Sequence, residues 1–417
     1  MVLKDILVTI LVTYLLRLAC DRSQVLFLFW KNAPHRLVKV NTFASHEIRF
    51  SDRIRSCEDV LMVESKGLAI LACDPGRERW NTVMGIFHEP AESGGLYVFN
   101  YENTSASDDE ALKQLKFVDF KFESDFHSLG VAYNESSSTL FVANHRHGQP
   151  AIEVFKLDLE EYTATHLRSV QHRLIRQPNS IALINDREFY VTNSHRFQIR
   201  DRPFVARVET SMGLATGTVV HVHVDIDADA DASASPQDPA PAVRARVVAR
   251  VPFANGIELL NPMMAAVASS STAKIHLFSI RPRAGTAATS PPRFSRIFEF
   301  DVPFAPDNLS LESGTTNASA LLIAGHPHLP SLSAFSATRH VCNGAPDKLA
   351  AADEATRKTC RTLSAPSWVA RWTPDGGVET LYADVKYPSS STAVRDTGRK
   401  IGIVSGLYAK GILVWRD

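Results

Sequence analysis

The chain has 417 residues, of which 45% are hydrophobic and 22% are charged, a composition that supports a large globular core. Lys plus Arg and Asp plus Glu each number 45, so the formal net charge is zero. A neutral chain offers no basic field for nucleic acid, and we expect no nucleic-acid partner.

The N-terminus carries an apolar run from Ile6 to Leu16, with Lys4 before it and Arg17 after it. The run is shorter than the roughly 20 residues that span a bilayer, and it has the length of a signal-peptide core. We interpret residues 1–30 as a signal peptide or an uncleaved signal anchor, with a helix packed on the body as the alternative. Either form of targeting predicts the secretory pathway. Residues 31–417 would then be secreted, or attached to a membrane through the N-terminal segment on its lumenal or extracellular side.

Two further features agree with a secretory route. Glycosylation sequons begin at Asn103, Asn134 and Asn317. The chain has five cysteines, and none of them shows zinc-ligand spacing. Cys342 and Cys360 flank a polar loop rich in Ala and Lys and could close it as a disulfide, with free thiols as the alternative.

After the N-terminus, short alternating apolar runs separated by turn residues predict an all-β fold. A strand, a small-residue turn and an outer strand recur at least four times, which favours propeller blades over a two-sheet sandwich. The low-complexity residues 225–243 and 281–292 are predicted to be loop insertions. Predicted strands include residues 67–73, 95–101, 140–144, 152–159, 188–192, 274–280, 294–301 and 368–372.

Polar side chains stand just before five of the predicted inner strands. In a propeller, equivalent positions of successive blades converge at one end of the central channel. Oxygen donors of this kind suit calcium, which takes about 6–8 hard ligands, and do not suit zinc. The alternative is that Asn and Asp start strands through Asx turns. The five junctions are Glu58-Asp59, Asp125 to Ser128, Asn179-Ser180, Ala254 to Gly256 and Asp307-Asn308.

A metal at these junctions would allow ester chemistry. A calcium ion with an open face polarises an ester carbonyl, and a nearby imidazole can deprotonate water. His127 lies at one junction and His145 follows a predicted strand, so both are candidate catalytic residues. The sequence lacks a Gly-x-Ser-x-Gly elbow, a His-Glu-x-x-His motif and a P-loop, which argues against a serine hydrolase or a zinc peptidase.

From about Cys57 to the C-terminus, these motifs resemble the paraoxonase/arylesterase family, and in particular its fungal type. The resemblance implies a six-bladed β-propeller with a central calcium-binding channel. It also implies hydrolysis of small-molecule aryl esters or lactones. The motifs that carry it are Cys57-Glu-Asp, Phe126-His127, Asn144-His145, Asn179-Ser-Ile, Phe253-Ala-Asn-Gly-Ile, Asp307-Asn308 and Gly325-His326-Pro.

The resemblance also assigns roles to individual residues. His127 and His145 match the family's proposed histidine dyad, and His326 matches another histidine at the channel mouth. A deeper, structural calcium would use Asp59 and the backbone carbonyl of Leu129. The ligands implied for the catalytic calcium are Glu58, Asn179, Asn255, Asp307 and Asn308.

Three departures from the family matter. Ser180 stands where the family has a second aspartate at the structural calcium, so one ion is expected to bind well and a second weakly or not at all. Ser194 replaces an acid close to the dyad in the animal enzymes. Residues 411–417 contain no cysteine, so closure of the propeller must rest on strand pairing or on another bridge.

Two other functions remain open on the sequence. One is a non-catalytic propeller that binds a ligand or partner through its loops. The other is a propeller similar to sugar lactonases or strictosidine synthase, which the paired Phe-His and Asn-His motifs argue against.

Overall fold

The computed structural model describes residues 2–103, 106–224, 243–282, 292–312 and 320–417. Strands make up 49% of the structure and helices 21%, which confirms a β-rich fold with more helix than the sequence predicted. The strands predicted from alternation are present, for example Leu68–Cys73 and Thr139–Asn144. The two low-complexity insertions lie outside the described residues except at their ends.

Twenty-eight strands follow one another along the described chain. In chain order, β1 to β14 are Val40–Asn41, Ser45–Arg49, Arg55–Val63, Leu68–Cys73, Trp80–Asn81, Ile86–Phe87, Gly95–Asn100, Leu112–Gln114, Lys116–Val118, Ser128–Asn134, Thr139–Asn144, Ala151–Asp158, Thr163–Val170 and Pro178–Asn185. Strands β15 to β28 are Glu188–Asn193, Gly217–Val224, Val243–Val251, Ala254–Asn261, Met264–Ser269, Lys274–Arg281, Arg293–Asp301, Ala305–Glu312, Ala320–His326, Ser367–Thr373, Gly377–Asp384, Ser390–Asp396, Ile401–Lys410 and Ile412–Arg416.

Most strands belong to six antiparallel meanders. Four meanders pair in simple order, namely β10 to β13, β14 to β17, β18 to β21 and β22 to β25. The remaining two form one larger sheet, in which β3-β4-β7-β8 joins β26-β27-β28 through pairing of β27 with β3. The first strands of the six meanders contact one another in a closed cycle, β3 to β10, β14, β18, β22, β26 and back to β3.

A hydrophobic cluster fills each gap between neighbouring meanders. Phe155, Phe126 and Val98, for example, pack between the first two meanders. Because each meander is apolar on both faces, it is stabilised only between two neighbours, at about 25 cal/mol for each Å² of apolar surface buried. The core is therefore a ring of six interfaces around a polar centre.

The two ends of the β region pair with each other. Strand β2 lies antiparallel to β28, with Ser45 opposite Arg416 and Arg49 opposite Ile412. Strand β1 similarly adds to β25. Strand pairing thus closes the ring. The sequence left two possibilities for this closure, strand pairing or another bridge, because residues 411–417 contain no cysteine.

The helices correct one sequence interpretation. The stretch between Cys342 and Cys360 was predicted to be a loop, but it contains helical turns, and Asp353 caps the last helix by accepting from the Thr356 amide.

The predicted Cys342–Cys360 disulfide is present, a second disulfide joins Cys57 to Cys73, and Cys20 is free. Helices α1 to α6 are Val2–Lys31, Asp108–Ala111, Pro203–Met212, Leu329–Cys342, Pro346–Ala351 and Glu354–Thr362.

Helix α1 contains the predicted targeting segment. Its apolar residues Leu16 and Leu26 are exposed, while Arg22 donates to the Ser271 carbonyl at 2.7 Å and holds the helix to the β region. Among the described residues, we find no helix with the length and apolarity needed to cross a membrane.

The predicted glycosylation sites differ in their surroundings. Asn134 lies at the end of β10, and its side-chain amide donates to Asp186 Oδ1 at 2.7 Å. Asn103 lies in a loop after β7, and Asn317 falls outside the described residues. Glycosylation at all three stays a prediction.

Two glycines allow the first strands to approach one another closely. A Cβ on Gly130 would lie 2.3 Å from the carbonyl oxygen of Asn179, and one on Gly256 would lie 2.7 Å from that of Asp307. Neither distance is compatible with a side chain unless the backbone moves. The spacing of the central strands therefore depends on these glycines.

We predict that Gly256→Ala destabilises the protein by about 1–3 kcal/mol, the usual cost of overpacking. Gly148→Ala is the matched control, because nothing lies within 4 Å of the position that its added methyl carbon would occupy. Urea denaturation followed by tryptophan fluorescence measures both. Equal stability of the two variants would contradict the close approach of these strands.

Candidate active site

The same irregularity interrupts the first strand of every meander. The antiparallel register shifts between residues 57 and 59, 128 and 131, 178 and 181, 254 and 257, 306 and 309, and 390 and 392. A bulge of this kind leaves a residue outside the regular pairing and redirects its side chain. The sequence-predicted ligands lie at or next to these shifts.

The six first strands line one central cavity of about 250 Å³. Residues far apart in sequence meet beside it, since Asn308, which lines the cavity, donates through Nδ2 to Glu58 Oε1 at 3.1 Å. The convergence that the junctions predicted is thus present for Glu58 and Asn308. The cavity is lined by, among others, Asp59, Val131, Ser180, Ile257, Asn308 and Thr392.

Four of the five predicted calcium ligands carry a buried side-chain oxygen that has no hydrogen-bond partner. Leaving such a group unpaired costs about 1–3 kcal/mol. Hard oxygen donors without partners are the ligands that calcium prefers, so the residues present fit that ion. These atoms are Glu58 Oε2, Asn179 Oδ1, Asn255 Oδ1 and Asn308 Oδ1.

The electrostatics of the site also suit a bound cation. Burial, reinforced by the negative charges of Asp59 and Asp307, raises the pKa of Glu58 well above its usual value. The fifth predicted ligand, Asp307, accepts a hydrogen bond from His326 Nε2 at 2.8 Å. Buried carboxylates repel one another unless a cation compensates their charge.

The deeper site differs from the first. Both oxygens of Asp59 are used by the protein, because they accept from the amides of Val60 and Val131 and from the Thr392 hydroxyl. Burial raises the pKa of Asp59 to about 6. The Ser180 hydroxyl accepts from the Ile257 amide at 3.3 Å, and Leu129 is buried in β10.

His127 is oriented by an acid that the sequence interpretation missed. Its Nδ1 lies 3.2 Å from Asp74 Oδ2, and since a carboxylate can only accept, Nδ1 carries the proton. The lone pair then resides on Nε2, which is buried and has no hydrogen-bond partner. This tautomer is the one that a general base requires.

His145 has a different environment, although its backbone amide donates to the His127 carbonyl at 2.9 Å. Its Nε2 donates to the Pro178 carbonyl at 2.5 Å, and its Nδ1 accepts from the Thr82 hydroxyl. Burial lowers the pKa of His145 to about 4. Both nitrogens are therefore occupied in a neutral ring that holds its neighbours in place.

The sequence interpretation overlooked two groups of site residues. Residues 74–82 contact both histidines, and Trp80 Nε1 additionally donates to the His145 carbonyl at 2.8 Å. Thr392 forms the sixth junction, where its hydroxyl accepts from Asn308 Nδ2 at 2.9 Å. The sequence signal for Thr392 is weak, since only Ala393 and Val394 follow it before Arg395. Residues 74–82 gave none, because they lie between predicted strands.

Part of the chain is similar in sequence to known proteins. The Arylesterase family profile matches residues 85–232. Human serum paraoxonase/arylesterase 2 is 34% identical over 88 residues, which are 21% of this chain and 24% of that protein. Human serum paraoxonase/arylesterase 1 is 28% identical over 194 residues, 43% of this chain and 54% of that protein. Among solved structures, a gluconolactonase from Xanthomonas campestris gives a TM-score of 0.47 at 12% identity, covering 91% of this chain and 94% of its own.

The matches to the Arylesterase profile and to the serum paraoxonases confirm the resemblance of this chain to the paraoxonase/arylesterase family. The chain matches about a quarter of the length of human paraoxonase/arylesterase 2 and about half of the length of paraoxonase/arylesterase 1.

We predict that Glu58→Gln has opposite effects on stability with and without calcium. In EDTA at pH 7.5 the variant should be more stable than the parent, because folding raises the pKa of Glu58 and so opposes its ionisation, a cost that an amide does not carry. With calcium, the parent should melt at the higher temperature, because the variant lacks an anionic ligand.

Thermal unfolding of both proteins in EDTA and in calcium tests whether the order of the two melting temperatures reverses. The exposed Glu47 gives the control Glu47→Gln, which should change neither melting temperature. A Glu58→Gln variant that is less stable than the parent in EDTA would show that the carboxylate is compensated within the protein.

Proposed function

We propose that the protein is a calcium-dependent hydrolase of carboxylic esters, acting on aryl esters, lactones or both. The observation that carries this proposal is the set of four unpartnered, buried oxygens on strands that converge at one cavity. The match of residues 85–232 to the Arylesterase profile and the oriented histidine beside the site support it.

The six meanders are, in this proposal, the blades of a six-bladed β-propeller. The cyclic contacts of the first strands and the six hydrophobic clusters between meanders support that count. The channel would then be the axis of the propeller, and each bulge would present one blade's polar residue to it.

One calcium ion would be held by Glu58, Asn179, Asn255, Asp307 and Asn308. When bound, it would supply positive charge beside the ester carbonyl and stabilise the negative charge that develops on the carbonyl oxygen. A second ion is disfavoured, because the oxygens of Asp59 already accept three hydrogen bonds and Ser180 offers no charge.

The protein's own groups supply proton transfer and positioning. His127 Nε2 accepts the proton of the attacking water, while Asp74 holds Nδ1–H and stabilises the imidazolium that forms. His145 fixes the segment that carries His127, and His326 orients the Asp307 carboxylate through their 2.8 Å hydrogen bond. In this scheme His127 and Asp74 form the working pair, and His145 is a positioning residue.

We also propose that the protein follows the secretory pathway, secreted or attached to a membrane through residues 1–30. Two disulfides support this proposal, because such bonds persist in oxidising compartments.

We predict that EDTA lowers the melting temperature and abolishes hydrolysis, and that calcium restores both. A ligand that binds only the native state stabilises it by mass action, by about 2.7 kcal/mol at a hundredfold excess over Kd. Calorimetric melting and a panel of aryl esters and lactones provide the measurements. A melting curve that EDTA leaves unchanged is incompatible with the metal assignment.

We predict that Asp307→Ala and His127→Gln separate metal binding from proton transfer. Asp307→Ala should lose stability in calcium as well as activity. His127→Gln should keep its calcium affinity and lose activity by about a hundredfold or more, and less for an ester with a very good leaving group. Parental rates for His127→Gln on both a lactone and an activated ester would contradict a base at this position.

A further inference from the structure

A second cluster of potential metal ligands lies beside the oxygen-lined site. Asp125, His127 and His147 each offer one ligand atom, and the three atoms lie within 4.8 Å of one another. His127 is buried, whereas Asp125 and His147 are partly accessible, with side chains 27% and 37% exposed. A small ion could therefore reach the cluster from solvent.

The buried member of the cluster lacks a partner. His127 Nε2 carries a lone pair because Asp74 holds the proton on Nδ1, and no hydrogen bond reaches Nε2. The nearest carboxylate oxygen to Nε2 is Asp125 Oδ1. It lies 3.7 Å away, which is too far for a hydrogen bond. The Nε2 lone pair and this carboxylate oxygen are both electron-rich, so they repel each other unless a cation lies between them. Ligand atoms on one tetrahedral zinc ion are roughly 3.3 Å apart, which is close to this separation.

The surroundings of both imidazoles match those of metal-bound histidines. A histidine ligand usually donates its second N–H to a carboxylate, which fixes the tautomer and raises the basicity of the ring. His127 Nδ1 donates to Asp74, and His147 Nε2 lies 2.7 Å from Glu89 Oε1. His147 Nδ1 donates to Asp125 Oδ1 at 2.6 Å, and a metal would replace that proton. Trp80 stacks on the His147 ring at 3.8 Å and holds it in place.

We propose that Asp125, His127 and His147 bind a divalent cation of the zinc class, at a site separate from the calcium ligands. Two imidazoles and one carboxylate suit zinc and leave its fourth position open to water. They do not suit calcium, which binds through oxygen. The two sites thus select different metals by the chemistry of their ligands.

The zinc site has a consequence for hydrolysis, and this consequence rests on the function proposed above. One lone pair on His127 Nε2 cannot both accept a proton and bind a metal. Zinc therefore inhibits the enzyme, and excess calcium does not reverse the inhibition because it binds elsewhere.

Calorimetric titration of the untagged, calcium-saturated full chain with ZnCl₂ tests the site. We expect one zinc ion per chain. His147→Ala should weaken binding by about a hundredfold or more, because it removes one of three protein ligands. Asp74→Asn should weaken it by about 10–100-fold, as loss of a supporting carboxylate does. His46→Ala removes an exposed histidine outside the cluster and should bind zinc as the parent does.

Hydrolysis in excess calcium gives a second readout. His147→Ala should keep the parental rate and resist zinc concentrations that inhibit the parent. Absence of zinc binding, or equal binding by the parent, His147→Ala and Asp125→Asn, would overturn the site. Failure of the hydrolase proposal is distinguishable, because there would be no rate to inhibit while the calorimetric result would stand.

Discussion

Burial of oxygen side chains without protein partners is the constraint on which the rest of the structure depends. Four such oxygens occupy the centre, and at about 1–3 kcal/mol each they are costly to the metal-free protein. The hydrophobic clusters between meanders must hold these groups together against mutual repulsion. Apolar packing is therefore concentrated between the meanders, whereas the unpartnered polar groups are concentrated at the axis of the ring.

The two histidines show how neighbours divide roles between identical side chains. His127 meets a carboxylate on Nδ1, and His145 meets a carbonyl on Nε2, so the two rings adopt opposite tautomers. Ser194, at the position where the resemblance implies an acid in the animal enzymes, is buried here. Asp74, which follows β4, supplies the carboxylate that orients His127 in this protein.

The sequence pattern predicted the strands well because each meander repeats short apolar runs that are bounded by turn residues. It also predicted five polar junctions, since bulges recur at equivalent positions. It missed the helices within residues 329–362, the last of which begins at the local cap Asp353 and contains few apolar residues. It could not predict Asp74 or His147, because their roles depend on contacts with other segments: Asp74 contacts His127, and His147 contacts Glu89 and Asp125.

The pairing of β2 with β28 has a consequence for folding. The paired strands are far apart in sequence, so the first and sixth meanders form their interface only after the intervening strands have been made. Until then, the outer faces of both meanders expose apolar surface, including Ile54 and Ile412, which end up in one cluster. Completion of the axial cavity therefore depends on contacts of long range in sequence, which form slowly because a large loop must close first.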